Sequence, residues 1–231
     1  MLSLKELKKM KKRYSGISCC RYLDKNVSYT DLYNDVLKVN NFCNNRKYNT
    51  IGYMGLNDYY YLVVLIATIV LDVEVIIIDK NIKENTLHKV LKRKKLNTIL
   101  NSNSLKNILN KEKKFEVKEK KKQKTSGVII YVDKEGRIIS LKLHLIYEHI
   151  SRLSKITQYL KKEENYLHTK NTISYYNLWS TLKCIIEGCC QHFLTENSLA
   201  IDIIEKIKNE NIKYVFLTNQ LLELIMKYCY K

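Results

Sequence analysis

Tyr59–Leu71 reads YYYLVVLIATIVL, and it is followed by Asp72-Val73-Glu74 and then by Val75-Ile76-Ile77-Ile78-Asp79. The first stretch carries no charge on any side. A helix of that kind has no solvent face and must be covered all round. The second stretch is a short β-branched run, the pattern of a strand buried on both faces of a parallel sheet. Polar residues bound both. A covered helix stepping directly into a buried strand is the core of an α/β protein.

The same alternation extends outward in both directions. Upstream, Ile17–Leu23 and Asn26–Tyr29 read as two short strands around Asp24-Lys25-Asn26. Ser28 and Asp31 then give a capping signal for a helix with Leu32, Val36 and Val39 on one stripe, and Thr50–Met54 reads as a strand. Downstream, Asn81–Lys94 is a helix with Leu87, Val90 and Leu91 inward, Thr98–Leu100 a strand, Ser104–Asn110 a helix and Phe115–Val117 a short strand. Val128–Tyr131 and Ile138–Leu143 form a hairpin around Asp133–Gly136. A helix follows from about Leu145 to Leu160, and another over Asn177–Ile186 stops at Gly188. Strand Cys189–Leu194, helix Leu199–Lys208, strand Tyr214–Leu217 and helix Gln220–Tyr228 complete the pattern. Strands and helices in alternation with short connections predict doubly wound, mostly parallel sheets. Composition places the boundaries at 14–117 for a first α/β subdomain, 118–127 for a lysine-rich linker and 128–231 for a second subdomain.

Charge and cysteines exclude several classes. The 231 residues carry a formal charge of +18, from 35 Lys and only 6 Arg, with no Pro and 6 Gly. The lysines are spread along every segment, whereas a nucleic-acid surface concentrates Arg and aromatics on one face, so no specific nucleic acid is expected. The apolar run at Tyr59–Leu71 is shorter than the ~20 residues a bilayer span requires. The amino-terminal residues Leu2, Leu4, Leu7 and Met10 alternate with lysines and lack the apolar core of a signal peptide, so a cytoplasmic location is expected. Seven cysteines, including the neighbours Cys19-Cys20 and Cys189-Cys190, read as reduced thiols packed on opposite faces of strands. Cys189, Cys190 and His192 lack a second ligand pair, so no metal site is expected. The five histidines are scattered, with no acid and nucleophile at useful spacing.

Several segments, in order, resemble the adenylate-forming superfamily of acyl-CoA ligases, luciferases and amino-acid adenylation domains. VSYTDLYNDV at Val27–Val36 is similar to the family's LTYxEL helix start. IVLDVEVIIIDKN at Ile69–Asn81 is similar to LKAGAAYVPIDPxYP and keeps the closing Asp79. TLHKVLKRKKLNTIL at Thr86–Leu100, NLWSTLKCIIEGCC at Asn177–Cys190 and DIIEKIKNENIKYVFLTNQLLELIM at Asp202–Met226 resemble further family segments. The separation of Trp179 and Gly188 favours the amino-acid adenylation branch found in nonribosomal peptide synthetases. The resemblance implies the truncated N-terminal region of an adenylate-forming fold, with two doubly wound, mostly parallel sheets flanked by helices.

It also implies what the chemistry would need. The family couples ATP, with Mg, to a carboxylate, giving an acyl-adenylate, through a Gly/Ser/Thr-rich phosphate loop. Backbone amides reach an anion only where glycine permits unusual dihedrals. The matching position here is Val132, Asp133, Lys134, Glu135, Gly136 and Arg137, where acids replace hydroxyls and one glycine remains. Thr125-Ser126-Gly127 spells the start of such a loop but precedes the strand rather than following it. Tyr175 stands where amino-acid-specific relatives place an ammonium-binding Asp. Tyr175, Tyr176 and Trp179 are therefore the substrate-box positions by resemblance, and core aromatics on the bland reading. No catalytic residue is expected, and no cofactor for the isolated chain. The expected function is that of a truncated or degenerate AMP-binding ligase-like protein, a pseudoenzyme. The alternatives are a non-catalytic scaffold of the same fold or one half of a split adenylation enzyme. The implied partners are a second chain bearing the missing C-terminal segments or a carrier protein, and self-association is expected near Tyr214–Leu217.

Overall fold

The computed structural model describes residues 2–23, 25–71, 73–96, 98–111, 128–156, 162–169, 175–194 and 198–229. Within these, the side chains of 71, 153–156, 175, 176 and 229 fall outside the description. The chain opens with α1 (Leu4–Arg13), the hairpin β1 (Ser18–Tyr22) and β2 (Lys25–Ser28), α2 (Tyr29–Asn45) and β3 (Thr50–Met54). It continues through α3 (Tyr59–Leu71), β4 (Glu74–Ile78), α4 (Glu84–Lys94), β5 (Ile99–Leu100) and α5 (Ser102–Lys111). The hairpin β6 (Val128–Val132) and β7 (Ile138–Lys142) follows, then α6 (Leu143–Ile156), β8 (Asn165–His168) and α7 (Tyr175–Glu187). The last elements are β9 (Cys190–Phe193), α8 (Ala200–Asn209), β10 (Ile212–Phe216) and α9 (Asn219–Cys229).

Two five-stranded sheets result, in the orders β5-β3-β4-β6-β7 and β10-β8-β9-β1-β2. Each has four parallel strands and one antiparallel edge strand, β7 in the first sheet and β2 in the second. The mostly parallel, doubly wound architecture read from the sequence is therefore present.

The β-branched run serves two cores at once. Val75 and Ile77 pack inward with Ile51, Tyr53 and Ile129, while Ile76 and Ile78 face Ile82, Val90 and Leu96 beneath α4. The inward core continues through α3, where Leu62 to Ala67 have no exposed surface, to Cys19 and Cys20 of the second sheet. The one hydroxyl in the middle of α3, Thr68, bonds back to Val64 O and Leu65 O at 2.9 and 3.0 Å, so the apolar surroundings hold no orphan there.

Strand pairing crosses the 118–127 boundary in both directions. β6 joins β4 in register Val75↔Ile129 to Ile78↔Val132, and β1 joins β9 through Cys20↔Gln191 and Arg21↔His192. The physical reason lies in β1. Cys19 and Cys20 are both fully buried, and a lone hairpin with β2 cannot cover two faces. The linker itself, the strand expected at Phe115–Val117 and the Thr125-Ser126-Gly127 decoy lie outside the described residues. The sequence reading also passes over β8, whose four residues Asn-Tyr-Leu-His show too little β-branched character to stand out.

Local signals are obeyed at the helix ends. The Ser28–Asp31 capping box is complete, with Asp31 N donating to Ser28 Oγ at 3.0 Å and Ser28 N to Asp31 Oδ2 at 3.1 Å. α7 stops at Gly188, which takes the left-handed φ of 81° with its open side filled by the Tyr14 ring.

Six cysteines, at positions 19, 20, 43, 184, 189 and 190, are buried and form no disulfide. Burial pushes the Cys43 and Cys190 thiols up to about 12, which keeps them unionised. At most one thiol is expected to react quickly with an aromatic disulfide reagent in native buffer, and all seven in denaturant. Two or more fast thiols in the native protein would contradict this packing.

Candidate functional site

The first sheet has its switch point between β3 and β4, because the chain leaves β4 for β5 on the far side of β3. In open α/β sheets ligands bind in the crevice at such a point, beyond the carboxyl ends of the strands. A buried acid follows β3 there, and the turn after β6 lies one strand further on, beyond β4.

The turn after β6 is the expected phosphate-loop position, and it is a closed hairpin. Asp133 N donates to Arg137 O at 3.1 Å and Gly136 N to Asp133 O at 2.9 Å. The Asp133 carboxylate turns inward on its own loop. Its Oδ1 accepts from Glu135 N at 3.0 Å and from Arg137 N at 2.8 Å, and its Oδ2 from Arg137 Nε at 2.5 Å. Arg137 also reaches Glu135 at 3.1 Å. Burial alone raises the Asp133 carboxyl, but the Arg137 amide and guanidinium outweigh it and hold the acid below its usual range. Gly136 has a φ of 82°, and a Cβ there would overlap the Thr86 methyl of α4.

A phosphate in this turn would need the Glu135 and Arg137 amides and the Arg137 guanidinium. A resident carboxylate already holds all three. Nearby, Asp79 closes β4, accepting from Asn81 N at 2.8 Å, and its backbone amide bonds to Val132 O. Tyr131 is pushed up to about 12 by burial and then by Asp79 and Asp133. The turn is closed, and its acids Asp133 and Glu135 are paired with Lys134 and Arg137 of the same loop. MgATP does not fit these residues.

The acid after β3 is Asp58, which the sequence reading missed. It is 2% exposed. Its Oδ1 accepts from Tyr61 N at 3.0 Å and Tyr53 Oη at 3.4 Å, and its Oδ2 from Ser102 Oγ at 2.8 Å and Tyr22 Oη at 3.5 Å. Burial raises its carboxyl, against the pull of these donors. Asp58 caps α3, and its ligands come from both sheets. Asp58 directly ahead of an apolar helix is a capping signal in itself, but Tyr22 and Ser102 are too far away in sequence to be read.

The second sheet holds another cluster without a sequence signal. His168 of β8 and Gln191 of β9 share a hydrogen bond at 2.9 Å, and the imidazole stacks on Phe193 with centroids 5.0 Å apart. His192 projects from the other face of β9, buried, with both ring nitrogens unpartnered among the described residues. Burial drives both histidines down to about 4, so both are neutral at pH 7. His168 is partnered by an amide rather than an acid, and both rings are buried.

The substrate-box positions lie on α7, in the second sheet's layer. The side chains of Tyr175 and Tyr176 fall outside the description. Trp179 is half-buried, packs on the main core and meets His149 edge-on at 6.2 Å. The hairpin turn and this helix thus stand on different sheets. A groove of about 470 Å³ between α1, α6 and α7 is walled by Leu2, Met10, Tyr147, Ile150, Ser151 and Ile186, and the charges among these described lining residues are the acids Glu6 and Glu187. No helix among the described residues is long and apolar enough to cross a membrane.

No family profile and no curated protein matches the sequence. Solved structures do match by shape. O-succinylbenzoate coenzyme A synthetase (MenE) of Bacillus subtilis, solved in complex with AMP, aligns at a TM-score of 0.82 and 10% identity, covering 96% of this chain and 63% of its own. The same synthetase has been solved with ATP and a magnesium ion. The N-terminal subdomain of NpsA from Klebsiella oxytoca aligns at 0.79 and 11% identity, over 97% of this chain and 61% of its own. The nonribosomal peptide synthetase FmoA3 aligns at 0.80 and 10% identity, over 98% of this chain and 26% of its own. The chain spans less than two thirds of the length of each of these relatives in shape. Its fold is that of the N-terminal part of an adenylate-forming enzyme.

Proposed function

We propose that this chain is a degenerate AMP-binding, ligase-like protein that does not activate a carboxylate by itself, a non-catalytic module of adenylate-forming fold. One observation carries the reading: the Asp133 carboxylate occupies the amides and guanidinium that a nucleotide phosphate would need. An anion bound within the same loop competes at an effective concentration that free ATP cannot match. Six buried thiols outside any disulfide suit a reducing cytoplasm.

The test is calorimetric titration with MgATP, joined to pyrophosphate exchange over a panel of carboxylates. No saturable heat and no exchange above background are expected. Saturable uptake or any substrate-dependent exchange would overturn the reading. Asp133→Gly removes the resident anion and is expected to gain weak, salt-sensitive pyrophosphate binding at the freed amides. Failure of that gain would show that Asp133 is not what closes the turn.

A second reading makes the chain one half of a split adenylation enzyme, completed by a second polypeptide or served by a carrier protein. Partial coverage is compatible with it: the chain aligns with 61% of the NpsA N-terminal subdomain. On that reading exchange activity is absent from the chain alone and present only in a reconstituted pair.

A further inference from the structure

Lysine is spread along the sequence, but the fold gathers it on one helix. Residues 83–95 hold five lysines and Arg93 against a single acid, Glu84. α4 turns Leu87, Val90 and Leu91 toward the core beneath it. His88, Lys89, Lys92 and Arg93 are left exposed on its outer face, with Lys83 and Lys95 exposed at its two ends. Glu84 lies against His88 at 3.8 Å. Among the described residues none of Lys83, Lys89, Lys92, Arg93 and Lys95 is in an ion pair. The acids of the turn that meets Thr86, Asp133 and Glu135, are already paired with Lys134 and Arg137 of their own loop. The patch continues past the helix. Thr98 Oγ1 donates to Tyr48 Oη at 3.0 Å, which sets the turn between α2 and β3, with exposed Lys47, beside the chain that leaves α4.

Helix stability accounts for only part of this charge. Lys92, Arg93 and Lys94 lie in the last turn, where the helix dipole favours cations. Lys83 stands at the N-cap, the end where the dipole disfavours a cation, and gives the helix no side-chain cap. Lys89 has Lys92 and Arg93 three and four residues on, and like charges at that spacing destabilise a helix. A bound anion relieves both. Apolar packing cannot close over such a face, since every cation beneath it would lose its water without gaining a counter-charge.

Three features choose the anion. The cations are mostly lysines, point charges that suit phosphate oxygens, rather than the arginine forks that suit carboxylates. No aromatic side chain lies on α4, so bases have no stacking platform. No large apolar side chain is exposed there, so nothing would enter a bilayer. The line from Lys83 to Lys95 is about 18 Å long, the rise of about five base pairs.

We propose that the outer face of α4, extended by Lys47, is a docking surface for the phosphate backbone of a nucleic-acid duplex, held by charge and without base contacts. The lack of an arginine and aromatic cluster excludes base readout and leaves this backbone mode. The inference is independent of whether the turn at Asp133 admits nucleotide.

Fluorescence anisotropy of the full chain with a short labelled DNA duplex of mixed sequence, over a range of salt, is the test. Affinity is expected to fall steeply with salt and to be the same for a second, unrelated sequence. Lys89→Glu with Lys92→Glu and Arg93→Glu is expected to weaken binding by roughly tenfold or more and to lower the slope of log affinity against log salt by about 3, one phosphate contact for each lost cation. Lys5→Glu with Lys8→Glu and Lys12→Glu makes the same change of net charge at exposed positions of α1 and is expected to leave the slope unchanged. Circular dichroism of both variants is expected to match the parent, since every substituted side chain is exposed. The proposal is overturned by absence of duplex binding at low salt, by equal losses in the two variants, or by tighter binding to phosphatidylserine vesicles or to polyglutamate than to the duplex at the same salt.

Discussion

Between pH 6.5 and pH 4 the native protein is expected to lose about 5 kcal/mol of stability through two histidines, His168 and His192. In the unfolded chain imidazole titrates near 6.5, and in the fold both titrate near 4. The folded value is the lower one, so across this window the unfolded chain binds more protons and stability rises with pH. The contribution is whole above 6.5 and is lost as pH falls through 4. For His168, buried between Tyr166 and Phe193, the difference corresponds to about 3 kcal/mol. His192 is held down first by burial and then by Lys206 of α8, Arg21 of β1 and His168. Its share is smaller, about 2 kcal/mol, because the ion pair between Arg21 and Glu210 gives part of that field back.

Asp58 works in the opposite sense. Its folded value is raised, so its contribution is present below the unfolded carboxyl value and fades as pH rises. It therefore offsets part of the histidine loss at the acid end. A loss of this size is comparable to the whole stability of a typical domain. The measurement is the urea midpoint at pH 7, 5.5 and 4.5, for the parent and for His168→Phe with His192→Leu. The double variant is expected to flatten the acid limb. An unchanged slope would place the proton uptake elsewhere.

What could be read from the sequence was whatever local periodicity dictates. Val75–Ile78 and Tyr59–Leu71 announced themselves because a strand or helix buried on all sides leaves no polar position to disguise it. Ser28 with Asp31, and Gly188, were legible for the same reason, since their partners lie within four residues. The hairpin around Asp133–Gly136 was also expected as a tight turn. That its aspartate would supply the turn's own anion depends on a rotamer, which composition does not encode.

The remaining features are products of long-range pairing. His168 and Gln191 are 23 positions apart and meet only because β8 lies beside β9. β8 itself is four residues with a polar start, recognisable by its neighbours rather than by its own pattern. The lysine-rich stretch suggested a break between halves. Sheet order follows from which strands can bury Cys19, Cys20 and Ile129, and those strands come from both ends of the chain.

Asp58→Ala is expected to cost about 3–4 kcal/mol, the largest single-residue loss away from the apolar core. Three separate effects add there. The cap on the α3 amide of Tyr61 goes, worth about 1 kcal/mol. The hydroxyls of Ser102 and Tyr22, on half-buried residues, lose their acceptor, at about 1 kcal/mol each. Tyr53 loses less, since its hydroxyl still reaches Leu56 O at 3.2 Å. The site also joins the sheets: Tyr22 ends β1 in the second, while Tyr53 lies on β3 in the first. Its loss should therefore raise the unfolding rate of the molecule as a unit rather than loosen one end. Asp58→Asn separates charge from shape. Burial already disfavours the ionised carboxyl, so the amide, which keeps one acceptor oxygen, is expected to cost about 1 kcal/mol. Tyr22→Phe, which removes one long bond at 3.5 Å, is expected to cost less than 1 kcal/mol. Equilibrium denaturation of the three variants gives the order Ala, then Asn, then Phe. An Asp58→Ala midpoint indistinguishable from the parent would mean that solvent reaches the pocket and replaces the carboxylate.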